Sequence, residues 1–480
     1  MVSEKRKKLD VISFYLFFGV IIALLSFCVK QISGEQTWFS CCAVLIVATA
    51  LLQFLALRRY VRLISITSIF LILTYLFHFG IIINKGLFPF YTPDGNIYYL
   101  YELSFDVFKQ AGNLCLISVL TLGLGILITA KTKRPIKKSE LKVLSNRIWL
   151  FGWILLLIGA PFLISKTMQA LDVYRNGSYL DSFDAVGDGS GIKSFLSNFV
   201  YAGAACLITY YSRRKKGKAI LLWFAVSALQ AINILFTGGR GLNLLMVLTL
   251  ALVAYYNKLF KITQTRVFLL LIIAYLGVVA LSTIADIRNQ GMQDFTSYFS
   301  KNLGGYAILD IIQEMGSSIY TPYLCIEQRG DLYNLAFGKT YIASIVTLLP
   351  NLNGMFSGII NYSSFVKSLD GVTLGGSFIA EAYFNFGFLG VLITALIGAF
   401  VNLTDRIFTG AVIRGDAKTI AVLTPIVCMI LWWVRDAANG FIRQFVWGAI
   451  IVIMIWFFIE FAFVKSPSVG RNTKLAEGKK

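Results

Sequence analysis

The sequence predicts an all-α polytopic membrane protein of about twelve transmembrane helices, with both termini cytoplasmic and one long extracytoplasmic loop. Three observations predict it: composition, the spacing of apolar runs, and the sign of the loops between them. Of 480 residues, 57% are hydrophobic and 14% charged, against about 25% charged in an ordinary soluble domain. Mean hydropathy is +0.73, with 39 Phe and 23 Tyr. A chain this apolar cannot cover its own surface in water. The composition excludes a disordered chain, a fibrous repeat and a soluble nucleic-acid binder, despite the +20 net charge.

The apolar runs have the length that roughly 30 Å of hydrocarbon demands. The first lies near 11–29 and has no small-residue cleavage site after it, so it reads as an anchor rather than a cleavable signal. Runs near 37–57 and 63–83 follow, then an outside loop at 84–112. Runs near 113–130 and 148–164 flank a basic loop and lead to a second outside loop, 165–194. Four more, near 195–211, 219–237, 242–256 and 267–284, precede the third outside loop, 285–387. That loop runs for about 100 residues, too long for an idle connection. An amphipathic stretch around 303–328 and an apolar piece at 341–360, broken by Pro350 and Gly354, suggest short interfacial or re-entrant helices within it. Runs near 388–403, 419–434 and 444–464 close a single integral membrane domain over 1–480, and 465–480 forms a cytoplasmic tail.

Charge orients the bundle. The N-terminus, Arg58 to Arg62, 131–147, Arg213 to Lys218, 257–266, 404–418 and the tail hold 30 of the 44 Lys and Arg but six of the 24 Asp and Glu. These loops therefore face the cytoplasm, and the basic excess reflects topology and attraction to membrane lipids rather than nucleic acid. Six of the seven cysteines fall within spans, so Cys325, the one in an outside loop, has no disulfide partner there. No Cys/His spacing suggests a metal site, and the single His78 excludes a histidine-based zinc site from this chain alone. His78, among aromatics, reads first as a hydrogen-bonded packing residue, and no cofactor is expected.

The cytoplasmic loops carry no nucleotide-binding motif, so chemistry is expected outside. Four outward segments place charge near membrane depth, where charge is costly. Gly238-Gly239-Arg240-Gly241 forms a turn whose backbone N–H groups and guanidinium suit an anion, or simply a hairpin with a snorkelling arginine. Asp286-Ile287-Arg288 follows a span and reads as either a functional pair or an interfacial one. In 435–443, helical spacing would line Arg435, Asn439 and Arg443 along one face, facing an anionic group or lipid headgroups. In 374–387, Ser377, Glu381 and Asn385 fall at i, i+4 and i+8, and a carboxylate there needs a function or a partner, with one of the arginines expected as that partner.

Residues 236–241 and, about 135 residues later, Gly376-Ser377-Phe378-Ile379-Ala380-Glu381-Ala382-Tyr383-Phe384-Asn385-Phe386-Gly387-Phe388-Leu389-Gly390 resemble the O-antigen polymerase family, the Wzy-type oligosaccharide repeat unit polymerases. Span number, termini and the late outer loop extend the resemblance over nearly the whole chain. The related O-antigen ligases use a loop histidine that this chain lacks, which favours polymerase and leaves the general base unassigned by the resemblance.

The resemblance implies a metal-independent glycosyltransferase of the bacterial cytoplasmic (inner) membrane, with undecaprenyl-diphosphate-linked oligosaccharide as donor and acceptor. A flippase and a chain-length regulator are its implied companions. Within that chemistry, Glu381, Arg288 and Arg435 are the expected catalytic group, and Gly239, Arg240 and Arg443 the diphosphate site. Ser377, Asn385 and Asn439 are the expected glycan contacts. Fixed guanidinium forks suit a diphosphate leaving group, and a carboxylate can orient or deprotonate an acceptor hydroxyl. A flippase or other secondary transporter of lipid-linked glycans is the alternative, although its usual related halves are not visible here. A non-catalytic regulator is a third reading, and would not need arginines at three membrane-surface sites.

Overall fold

The computed structural model describes residues 2–91, 104–132, 146–176, 192–237, 241–260, 272–273, 275–280, 282–283, 295–348, 362, 365–366 and 375–464. Among these residues every regular element is helical. In order they are α1 (Val2–Lys30), α2 (Glu35–Leu57), α3 (Ile66–Leu87), α4 (Phe105–Thr129), α5 (Asn146–Asn176), α6 (Ile192–Ser197), α7 (Phe199–Ser212), α8 (Lys216–Thr237) and α9 (Gly241–Tyr256). The segment from 295 to 346 supplies α10 (Phe295–Gly304), α11 (Ala307–Gly316), α12 (Tyr320–Glu327) and α13 (Lys339–Val346). The chain closes with α14 (Phe378–Phe386), α15 (Gly390–Arg414), α16 (Ala417–Trp432) and α17 (Ala438–Val464).

Nine helices among the described residues are long and apolar enough to cross a membrane, three fewer than the twelve expected. The difference has local causes. α7 and α9 have 14 and 16 residues, short of the ~20 a full crossing takes. The run expected near 267–284 falls largely outside the described residues.

Close backbone approach holds the centre. Between membrane helices water supplies no hydrophobic drive, so small residues and polar bonds do the work. α4 crosses α15 so tightly that a Cβ on Gly125 would lie 1.8 Å from the Ala395 carbonyl oxygen, and one on Gly398 2.1 Å from that of Leu122. Thr121 and Thr394 join hydroxyls across the crossing at 2.6 Å, and Asn402 donates to Thr129 Oγ1 at 2.9 Å. α1 lies on the other side of α4, with the Tyr15 hydroxyl donating to the Leu120 carbonyl at 2.7 Å.

The two ends of the bundle differ electrically. At one, Lys8 donates to the Ile128 and Ala130 carbonyls, Arg406 to that of Thr129, and Arg213 to those of Val412 and Ile413. Each cation thus meets orphan carbonyls at the C-terminal end of α4 or α15, where the helix dipole favours positive charge. The buried Asp405 joins this end, accepting from the Thr67 hydroxyl at 2.9 Å and the Thr409 hydroxyl at 3.3 Å. Gly415 (φ 77°) ends α15 in the left-handed region, and Asp416 caps α16, accepting from the Thr419 N–H at 3.3 Å.

The opposite end gathers the short helices between 295 and 348. α11 docks against α3, with Gly80 and Gly316 in backbone contact, and Asn84 donates to the Leu309 carbonyl at 2.8 Å. The amphipathic stretch expected around 303–328 is thus α11 and α12, folded onto the bundle. α13 lies along α17. The rest of the apolar piece, from 349 to 360, lies outside the described residues.

Candidate active site

Glu381 stands in the first turn of α14, fully buried at 0% exposure. The helix begins there because Ser377, in extended conformation, turns its hydroxyl oxygen back to accept from the Ile379 and Ala380 N–H groups at 3.2 and 3.3 Å. That is an N-cap, satisfying donors that otherwise have no intrahelical partner. The cap is itself held: His78 Nδ1 lies 3.0 Å from the Thr74 carbonyl, and Nε2 lies 2.7 Å from Ser377 Oγ. A carbonyl can only accept, so Nδ1 carries the proton and Nε2 accepts from the serine hydroxyl. His78 is the packing residue that its aromatic surroundings suggest, with a defined duty. α14 ends at Gly387, whose φ of 60° with ψ of −143° only glycine adopts readily. That break separates the Glu381 helix from α15.

Both carboxylate oxygens of Glu381 accept hydrogen bonds. The Thr340 hydroxyl donates to Oε1 at 3.1 Å, and the backbone N–H of Ala438 donates to Oε2 at 2.9 Å. Among the described residues these partners are a hydroxyl from α13 and the N-terminus of α17, where charge bookkeeping on the sequence suggests an arginine. A helix N-terminus carries partial positive charge and exposed N–H groups, so it stabilises an anion without a salt bridge. The Trp433 indole lies beside the same carboxylate, and Asp436 is the nearby like charge. Asn385 completes the arrangement, donating to Thr340 Oγ1 at 2.7 Å and to the Glu381 carbonyl at 2.8 Å.

The connection from α16 to α17 brings in the arginine segment. Arg435 closes a 3-10 turn, Asp436 is extended, and the Asp436 carboxylate accepts the Ala437 N–H at 2.8 Å before α17 begins. The helix is interrupted there, so Arg435 does not share a helical face with Asn439 and Arg443. Those two alone occupy successive turns of α17. The Arg435 guanidinium lies between two rings, 5.5 Å from the Phe77 centroid and 5.1 Å from that of Trp432. A Cβ on Gly375 would lie 3.2 Å from Arg435 Nε, and one on Gly376 2.8 Å from the Asp436 carbonyl carbon. The Gly-Gly-Ser entrance to α14 is therefore pressed flat against Arg435 and Asp436. Arg443 donates from Nη2 to the Thr347 carbonyl at 3.2 Å, and Trp447 Nε1 to that of Leu348 at 3.1 Å.

Gly239, Arg240 and Arg288 lie outside the described residues. Gly241, the first described residue after 238–240, sits so close to Trp432 that a Cβ would fall 2.2 Å from its ring. The N-termini of α9, α14 and α17 thus converge on residues 432–438. Ser377 and Asn385 are fully buried with partners inside the protein, whereas Asn439 is half-buried beside the site. Two residues carry no signal in the sequence: Thr340, one threonine of many in a long loop, and Arg329. The exposed Arg329 lies over the Tyr383 ring, 5.9 Å from its centroid, and donates to the Tyr383 hydroxyl at 3.5 Å. A loop arginine next to no glycine turn or span end gives a sequence reader nothing to single out.

Neither a search of curated proteins nor a search of solved structures returned a match. The family model for O-antigen polysaccharide polymerase Wzy matches residues 11–466, from within α1 to past the end of α17, and includes the site just described. With that coverage, and with the glycine turn and the Glu381 segment both inside it, the chain belongs to the O-antigen polysaccharide polymerase Wzy family.

Proposed function

We propose that the chain joins undecaprenyl-diphosphate-linked oligosaccharide repeat units into a surface polysaccharide by glycosyl transfer at the outer face of the cytoplasmic membrane. The observation that carries this reading is the convergence of three helix N-termini, a buried carboxylate and the arginine segment on residues 432–438. The site lies at the end of the bundle away from the clustered cations, which the positive-inside rule assigns to the exterior.

In the proposed reaction, a hydroxyl of the acceptor's terminal sugar attacks the anomeric carbon of the growing glycan. The anomeric carbon–oxygen bond to undecaprenyl diphosphate breaks, and the diphosphate departs with the bonding pair. Glu381 orients that hydroxyl and takes its proton. Arg240 and Arg443 are assigned to neutralise the developing diphosphate charge, with Gly239 in the same diphosphate site and Arg288 and Arg435 in the catalytic group with Glu381. Guanidinium groups supply the neutralisation in this reading, which makes a metal unnecessary. Asn439 is placed to contact the glycan. Ser377 and Asn385, engaged inside the protein, hold Glu381 in place rather than reach the sugar.

The test is incubation of purified protein with one defined lipid-linked repeat unit, followed by sizing of the glycan. A ladder of multiples is expected, and an unchanged single unit would refute the assignment. A flippase would instead leave unflipped units on the inner leaflet in a null strain, whereas loss of a polymerase leaves single units outside.

A further inference from the structure

α13 touches two of the charged groups that the proposed reaction uses, Glu381 and Arg443. Thr340, in its first turn, donates to Glu381 Oε1, while the Thr347 carbonyl, just past its last turn, accepts from Arg443. The direction of the first bond is determined. Asn385 donates to Thr340 Oγ1, so the threonine proton points to the carboxylate. A hydroxyl on a carboxylate and an oxygen on a guanidinium are the two contacts that an acceptor sugar and a diphosphate would make.

We infer that the cleft between α14 and α17 is the seat of the reacting linkage, and that α13 fills it with internal surrogates. The Thr340 hydroxyl stands where the acceptor hydroxyl binds, and the Thr347 carbonyl where a diphosphate oxygen binds. This rests on the polymerase reading and adds the location of the cleft, its present occupant and the exchange that opens it.

The helix is built to leave. Its inner face carries the small side chains of Thr340, Ala343 and Ser344, all buried, while Ile342 and Ile345 point outward at 60% and 59% exposure. Tyr341 of the same helix packs half-buried against the core, while the contacts α13 makes to Glu381 and Arg443 are hydrogen bonds, which a ligand can replace in kind. A carbonyl on Arg443 is a neutral acceptor, and a diphosphate oxygen makes the stronger charge-assisted bond. The exposed isoleucines give a polyprenyl tail an apolar surface on α13 itself.

The test reads the position of α13 without reading activity. Ser344 is 4% exposed and donates back to the Thr340 carbonyl. Ser344→Cys protein in lipid nanodiscs is treated with a membrane-impermeant maleimide, and labelling at 344 is resolved by peptide mass. Undecaprenyl diphosphate is expected to raise labelling roughly tenfold by shifting α13 outward, while undecaprenol is expected to leave it unchanged. Arg443→Gln should abolish the rise, and Thr340→Val should raise labelling without ligand. Flat or falling labelling with undecaprenyl diphosphate overturns the inference, as does an undiminished rise in Arg443→Gln. Ala343→Cys, 5% exposed, serves if the first variant fails to insert. Flat labelling in a preparation that still builds polymer removes the surrogate cleft alone, and absence of polymer from wild-type protein removes the polymerase reading.

Discussion

Glu381 gives up water on all sides and regains two hydrogen bonds and a helix dipole. A glutamine is nearly the same shape: its oxygen can accept from Ala438 and its amide can donate to Thr340 Oγ1. Glu381→Gln is therefore expected to insert and melt within a few degrees of the wild type while making no polymer, judged by a detergent melting curve beside a glycan ladder. Normal ladders from a well-expressed variant would remove the carboxylate from the chemistry. Glu381→Leu should also lose stability, because each buried donor left without an acceptor costs about 1–3 kcal/mol. Arg240→Lys and Arg443→Lys keep the charge and lose the planar fork, so polymer yield should drop by more than about tenfold. Wild-type chain lengths from either would show that it does not hold the diphosphate. Burial pushes the Cys325 thiol up to about 12. The reactive thiolate is then only about one part in ten thousand at pH 8, so Cys325 should resist alkylation until the protein unfolds.

The α4–α15 crossing depends on backbone contact that no side chain can enter. Gly125→Ala would drive a methyl into the Ala395 carbonyl, so the helices must part, and overpacking of this kind typically costs about 1–3 kcal/mol. A lowered melting temperature with reduced polymer is expected. Gly217, where a Cβ meets nothing within 4 Å, is the control and should tolerate alanine unchanged. If Gly125→Ala melts like Gly217→Ala, the crossing is looser than drawn. α14 offers the converse case. Its nine residues are too few for a helix to be stable in water, and they persist because Ser377, His78 and the N–H groups of Ala336 and Phe337 hold the two ends.

Across the whole bundle, cations meet the C-termini of α4 and α15 at one end, and the N-terminus of α17 meets Glu381 at the other. The positive-inside rule predicts that the cation end faces the cytoplasm. Asn334→Cys, exposed beside α13, should accept a membrane-impermeant maleimide in intact spheroplasts, whereas a cysteine at the exposed Arg59 should react only after permeabilisation. The reverse pattern would place Glu381 in the cytoplasm and end the proposed role.

Membrane character, the all-helical class, and the glycine turn and Glu381 segment that mark the family are matters of composition and short spacing, so the sequence determined them by itself. Among the described residues nine helices reach full crossing length, and hydropathy does not distinguish a 14-residue helix with a short prelude from a single span. The partners of Glu381 escaped the sequence for a deeper reason. Thr340 and the Ala438 N–H come from 41 positions before and 57 positions after the acid. One is an ordinary hydroxyl and the other a backbone group that every residue except proline possesses. Charge alone pointed to an arginine. Only the tertiary structure, by aiming the N-terminus of α17 at the carboxylate, decided that a helix end would be among its partners.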